Sequence, residues 1–245
     1  MKIITASDFS QCCKIAADII VEQIAHKPDS RLGLATGGTA QGVYSFLIEA
    51  YRQGEVDFSQ VKTCNLDEYI GLDPEHEQSY RASMNRWLFD HVNIDKRNTV
   101  MACGTGDVDE NVKRFRNEIE DGPPIDLQLL GVGVNGHIGF NEPNENLHIS
   151  AHRERLADST LKANARFFGS GEKVPAEAIT MGIGNIMHAR KLLLMANGQN
   201  KAEIMKEFLM GDIVTTMSPV TLLRLHADLT VLIDQELADG IGYSD

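Results

Sequence analysis

The sequence predicts an α/β protein with a mostly parallel central sheet and helices on both of its faces, and three observations carry the prediction. Short apolar runs rich in β-formers alternate with amphipathic segments along the chain. Glycine-rich or polar stretches follow several of those runs directly, where open parallel sheets carry their ligand loops. With 245 residues, 42% of them hydrophobic, there is enough apolar material for one full core. There is no internal repeat, low-complexity tract or linker-like shift in composition, so residues 1–245 are expected to form a single domain.

In chain order, the strand candidates are KIITA, RLGLAT, VKTCNLD, NTVMACG, IDLQLLGVG, AITMG, KLLLMANG and DLTVLID. FSQCCKIAADIIVEQIA reads as a helix because Ile15, Ala16, Ile19 and Ile20 recur at helical spacing, and ENVKRFRNEIED repeats the habit. QNKAEIMKEFLMG reads as a third helix, stopped by Gly211. Residues 68–78 and 134–148 are the longest irregular stretches.

The formal net charge of -12 and pI near 5.1 oppose a nucleic-acid partner, which would require clustered Lys and Arg. A small anionic ligand needs only a local basic pocket. No stretch approaches the roughly 18 apolar residues of a bilayer span, and MKIITASDFSQCC lacks the form of a secretory leader. Cys12, Cys13, Cys64 and Cys103 show no CxxC spacing, so reduced, mostly buried thiols in the cytoplasm are expected.

Four stretches follow strand candidates and can face one crevice: TGGTAQG, DEYIGL, VNGHIGFNEP and GQNK. Thr36, Gly37, Gly38 and Thr39 stand ahead of a helix, where free N–H groups and the helix dipole favour an anion. The stretch fits neither the nucleoside-triphosphate nor the dinucleotide fingerprint. Asp67 and Glu68 close a strand; adjacent side chains on an extended chain point to opposite sides, so at most one enters the crevice. His137 alone among eight histidines sits in a glycine-rich loop after a buried strand, and Glu142 lies five positions on, able to orient the ring.

Taken together, LGLATGGTAQGVY, NLDEYIGL, GVGVNGHIGFNEP, ANARFF and GQNKA resemble, in order and spacing, the glucosamine-6-phosphate deaminases, over essentially the whole chain. GHIGFNEP joined to DEYIGL is the most specific part; the related 6-phosphogluconolactonases share the fold and the glycine-rich loop but not this pair. The resemblance implies a doubly wound, Rossmann-like domain and a hexosamine 6-phosphate substrate, with no cofactor and no metal. It implies conversion of glucosamine 6-phosphate and water to fructose 6-phosphate and ammonia, beginning as an aldose-ketose isomerisation. By family position, Asp67 moves the C2 proton, His137 opens the sugar ring and Glu142 orients His137, leaving Glu68 structural. Arg166 and Lys201 would hold the phosphate, with the backbone of Gly37, Gly38 and Thr39 completing its cradle.

This chain departs from the longer family members in two places. Asn135 stands where they carry an Asp two positions before the histidine; an amide adds no charge, so the His137 relay should lean on Glu142. Ala40 replaces the usual proline after TGGT. An isomerase acting on galactosamine 6-phosphate, the C4 epimer, fits the same motifs. A non-catalytic sugar-phosphate sensor is the other alternative, though the α/β pattern running from residue 2 to about 234 leaves no room for a DNA-binding segment. Composition is compatible with a monomer or an oligomer. The positions matching the longer members' basic activator-binding pair are His152 and Glu154, so hyperbolic kinetics without activation by N-acetylglucosamine 6-phosphate are expected.

Overall fold

The computed structural model describes residues 1–169 and 171–243. In chain order the elements are β1 (Lys2–Ala6), α1 (Phe9–His26), β2 (Arg31–Leu34), α2 (Gly38–Arg52), β3 (Lys62–Asn65), β4 (Asp67–Tyr69), α3 (Tyr80–Met84) and β5 (Thr99–Val100). There follow α4 (Val108–Glu120), β6 (Leu127–Gly131), β7 (His152–Arg155), α5 (Asp158–Asn164), β8 (Glu177–Thr180) and α6 (Ile183–Met187). The chain closes with β9 (Leu192–Ala196), α7 (Ala202–Met210), β10 (Leu229–Asp234) and α8 (Gln235–Ile241).

Seven strands form a sheet in the order β1-β10-β9-β6-β2-β3-β5, with every pair parallel. From β2 the chain moves outward to β3 and β5, then returns to place β6 on the other side of β2. The strand order therefore reverses between β2 and β6, and the loops leaving these two strands open a crevice at their carboxyl ends. TGGT and VNGH are those two loops.

Local signals account for the helices. Asp8 caps α1 by accepting from Gln11 N at 2.8 Å, and the helix buries Cys12, Cys13, Ala16, Ala17, Ile20 and Ile24. Ile15 and Ile19, on the flank of that stripe, are only partly covered. Asp107 caps α4 in the same way, accepting from Glu110 N at 3.0 Å. The predicted 199–211 helix divides into a 3₁₀ turn, Gln199–Lys201, and α7, which ends before Gly211.

The strand expectations need two corrections. AITMG does not join the parallel sheet: β8 pairs antiparallel with β4 on one side and β7 on the other, in a separate three-stranded sheet. VKTCNLD is divided at Leu66. Its amide still bonds Leu34 O, whereas its carbonyl already accepts from Met181 N at 2.7 Å, so Asp67 is the first residue to enter the small sheet. NTVMACG contributes only Thr99 and Val100, at the edge.

The core fills the space between the large sheet and its helices. A smaller apolar cluster of Tyr69, Phe140, Leu156 and Ala178 lies around the antiparallel sheet, with Tyr80 and Phe168 packed against it. Cys12, Cys13 and Cys64 are buried, Cys103 is half-buried, and all four thiols are free. Burial pushes Cys12 and Cys64 up to about 12 and Cys13 up to about 11, as expected of unreactive core thiols. Among the described residues no helix is long and apolar enough to cross a membrane.

Candidate active site

A cavity of about 540 Å³ opens over the β2/β6 crevice. Residues from all four loops singled out in the sequence line it, among them Thr36, Gly37, Gly38, Thr39, Asp67, His137 and Lys201, and Arg166 lines it as well. Among the described residues no three His, Cys, Asp or Glu side chains are grouped to hold a metal ion.

One end of the cavity is built for an anion. Gly37 takes a φ of +154°, a conformation side chains disfavour, and turns the chain from β2 into α2, whose first N–H groups point towards the cavity end of the helix. Thr36 Oγ1 accepts from the buried Asn65 Nδ2 at 3.3 Å, and Thr39 Oγ1 donates to Asn197 Oδ1 at 3.3 Å, tying this turn to the strands beside it. Opposite, Lys201 Nζ donates to Val132 O at 2.6 Å. Burial, aided by the nearby Arg166 charge, pulls the Lys201 amine down to about 8. The Arg166 guanidinium lies 4.7 Å from the centre of the Phe167 ring. Two like charges held together in a partly desolvated wall favour an anion between them.

The second feature is a carboxylate against an apolar wall. Asp67 is only 5% exposed, and burial, with Glu68 adding to it, pushes its carboxyl well above the usual range. The wall beside it is aromatic: Tyr69 lies 4.9 Å from Tyr80 and 5.6 Å from Phe140, ring centre to ring centre, and Tyr80 and Phe140 line the cavity. Glu68 turns the other way, as strand alternation requires. Its carboxylate accepts from Tyr69 N, Tyr80 N and Arg81 N at 2.8, 3.0 and 2.9 Å, closing the start of α3. Burial lifts Glu68 to about 6 against the pull of those three amides.

The third feature is His137. The chain closes a tight turn in which Gly133 N donates to His137 O at 2.9 Å, and the imidazole lies so close over Gly133 that a Cβ there would overlap the ring. Gly136, at φ +87°, completes the turn. His137 Nδ1 lies 3.2 Å from Thr160 Oγ1 and 3.4 Å from Glu142 Oε2. Asn135 does not reach the ring; its Nδ2 donates to Glu142 Oε2 at 2.7 Å, and its Oδ1 accepts from His137 N at 3.2 Å. Glu142 Oε1 accepts from Ala157 N at 3.2 Å. Burial raises the Glu142 carboxyl, but the hydrogen bond and charge of His137, with Thr160 and Asn135 behind them, outweigh it and hold the group down at about 2.

Of the site residues named from the sequence, Thr36, Gly37, Gly38, Thr39, Asp67, His137, Arg166 and Lys201 line this cavity, whereas Asn135 and Glu142 stand behind His137. Thr160, Lys162, Tyr80 and Asn197 line it as well, and the strand-end reading passed over them. Thr160 and Lys162 belong to α5, whose seven residues give a weak periodic signal. Tyr80 begins a helix of only five residues, just beyond the irregular stretch 68–78, and is partly buried.

A family model described as glucosamine-6-phosphate isomerases/6-phosphogluconolactonase matches residues 7–232. A glucosamine-6-phosphate deaminase of Thermoanaerobacter pseudethanolicus is 49% identical over 246 residues, 100% of this chain and 97% of that protein. A glucosamine-6-phosphate deaminase of Clostridium tetani is 51% identical over 242 residues, 98% and 100% of the two chains. Among solved structures, a protein described as a monomeric glucosamine-6-phosphate deaminase superposes with a TM-score of 0.94 at 38% identity, covering 98% of this chain and all of its own. The 6-phosphogluconolactonase of Trypanosoma cruzi has a TM-score of 0.76 at 18% identity, with 97% of this chain and 96% of its own covered, a likeness of fold.

Proposed function

Because the chain belongs to the glucosamine-6-phosphate isomerase/6-phosphogluconolactonase family, we propose that it converts glucosamine 6-phosphate and water to fructose 6-phosphate and ammonia. The single observation that carries this reading is one cavity lined by both the buried Asp67 carboxylate and the His137 ring, with Glu142 behind that ring at 3.4 Å.

The closed sugar must open before its C1 carbonyl can activate the C2 proton. His137 takes the anomeric proton and returns one to the ring oxygen, its Nδ1 held on the Glu142 side and Nε2 left for the substrate. Asp67 then removes the proton on C2, and the electron pair forms a C1=C2 enolamine. The same carboxylic acid delivers the proton to C1, giving an imine at C2. Water adds to that imine, the C2–N bond breaks, and ammonia leaves behind the ketose. A base with raised proton affinity, kept among aromatic rings, suits a carbon acid better than an ordinary surface carboxylate would.

Lys201 and Arg166 hold the phosphate together with the amides of Gly37, Gly38 and Thr39, which sets the distance from the phosphate to C2. Asn135 acts through Glu142 and not on the sugar. The free thiols fit a reducing compartment, the cytoplasm.

Ammonia release and ketose formation, measured with glucosamine 6-phosphate and galactosamine 6-phosphate side by side, test the assignment. Turnover of the first well above the second supports it; the reverse preference would make the C4 epimer the substrate. Absence of ammonia from both would remove the deaminase reading.

A further inference from the structure

The His137 ring is held from two separate segments of the chain. Its backbone and Glu142 belong to the loop after β6, but the hydroxyl nearest to Nδ1 comes from Thr160 in α5, at 3.2 Å. Glu142 Oε2 is farther away, at 3.4 Å, and already receives the Asn135 amide at 2.7 Å. A distance of 3.4 Å lies beyond the usual range for a direct N–H···O bond. A hydroxyl can accept an N–H from Nδ1 and donate onward to a carboxylate, which only accepts, and a bridge running in that direction puts the hydrogen on Nδ1. Thr160 is buried, its hydroxyl beside the His137 Nδ1 that also faces Glu142.

The same segment reaches the other end of the cavity. Two turns beyond Thr160 it carries Arg166, and Asn164 donates to Tyr69 Oη at 2.8 Å. Its beginning is fastened to the histidine loop by Ala157 N to Glu142 Oε1 and by Asn135 Nδ2 to Ser159 Oγ at 3.3 Å. Phosphate grip and ring alignment therefore share one short piece of chain.

We propose that Thr160 is a positioning residue whose hydroxyl bridges His137 Nδ1 to the Glu142 carboxylate, fixing the Nδ1–H tautomer so that Nε2 faces the sugar, and thereby links His137 alignment to the seating of the phosphate-gripping segment. The catalytic part of this inference rests on the reading of His137 as the ring-opening group; the tautomer part does not.

Thr160→Val removes the hydroxyl with little change of shape, and Thr160→Ser keeps it. In protein labelled with ¹⁵N-histidine, with the His137 signals identified by their absence in His137→Gln, the wild type and Thr160→Ser should show Nδ1–H as the dominant neutral tautomer, and Thr160→Val should lose that dominance. With glucosamine 6-phosphate, kcat of Thr160→Val should fall about 10²-fold with KM nearly unchanged, and Thr160→Ser should recover most of the rate. Should Thr160→Val fold poorly, Thr160→Ala takes its place, with the same tautomer change expected. An unchanged tautomer in the hydroxyl-free variant overturns the proposal, as does a Thr160→Ser variant as impaired as Thr160→Val, which would point to packing alone. Loss of Nδ1–H dominance in Thr160→Val, in a protein whose wild type turns over neither hexosamine phosphate, upholds the bridge while sinking the functional reading.

Discussion

Asp67 and Glu142 are almost equally hidden, 5% and 6% exposed, and yet they hold their protons oppositely. Asp67 leaves the parallel sheet to start the antiparallel one, beside aromatic rings and with a second carboxylate next to it in sequence, and its proton affinity rises. Glu142 sits in a loop where an amide, a backbone N–H and the His137 ring converge on it, and its proton affinity falls to about 2. Burial acts on both in the same direction. The partners decide the outcome, and under the proposed mechanism the difference supplies a base for carbon and a charged anchor for a histidine.

The largest effects should come from erasing one side of this contrast. Asp67→Asn should abolish ketose formation together with exchange of the C2 hydrogen into deuterated solvent, a loss of at least about 10²- to 10⁴-fold. The folded protein binds the Asp67 proton more tightly than the unfolded chain does. That contribution favours the fold at acid pH and turns into a cost once pH rises through the raised value. Asp67→Asn should accordingly melt higher than wild type at pH 7; a lower melting temperature would contradict the desolvated carboxylate.

Glu142→Gln should slow kcat about 10- to 100-fold while leaving substrate affinity nearly intact, because His137 stays in place but loses its charged partner. Its stability effect should have the opposite sign. With a folded value of about 2 against 4.5 unfolded, Glu142 stabilises the protein fully above pH 4.5, and that stabilisation, up to about 3 kcal/mol, disappears as pH falls from 4.5 towards 2. Thermal melts across that window should be flatter for Glu142→Gln than for wild type.

A cation extends the comparison. Lys201 resembles Asp67 in being penalised by burial and by a like charge. Lys201→Ala or Arg166→Ala should raise KM about ten- to a hundredfold, and the wild-type KM should climb as pH passes about 8 and the Lys201 amine loses its proton. A KM flat from pH 7 to 9 would place the phosphate elsewhere.

The smallest effect expected is none at all. His152 and Glu154 also form a His–Glu pair, at 3.1 Å, but it lies on β7, with the ring 4.2 Å from that of His148, centre to centre, and Arg153 committed to Glu177 on the opposite face. With Arg153 held by Glu177 and the Glu154 carboxylate beside it repelling a phosphate, N-acetylglucosamine 6-phosphate should leave the substrate curve hyperbolic. Sigmoidal kinetics relieved by that compound would reveal an activator site.

Much of this molecule was legible in one dimension. The period of the apolar residues marked α1, α4 and the strands of the large sheet, because those patterns record which face of an element is covered. The loops after β2, β3, β6 and β9 could be read as facing one crevice, since parallel strands with helical crossovers present their carboxyl ends together. Alternation alone limited the crevice to one of Asp67 and Glu68, and the family resemblance pointed to Asp67. Other features depended on neighbours far away along the chain. AITMG reads as one more parallel strand, and only its pairing with Asp67–Tyr69 and His152–Arg155 makes it antiparallel. Nothing local to Thr160 shows that its hydroxyl meets a ring 23 positions earlier, or that Lys162 borders the cavity. Nor does the letter Asp or Glu carry a proton affinity. Side-chain chemistry and periodicity are properties of short segments, whereas desolvation and hydrogen-bond partners arise from atoms that only folding brings together.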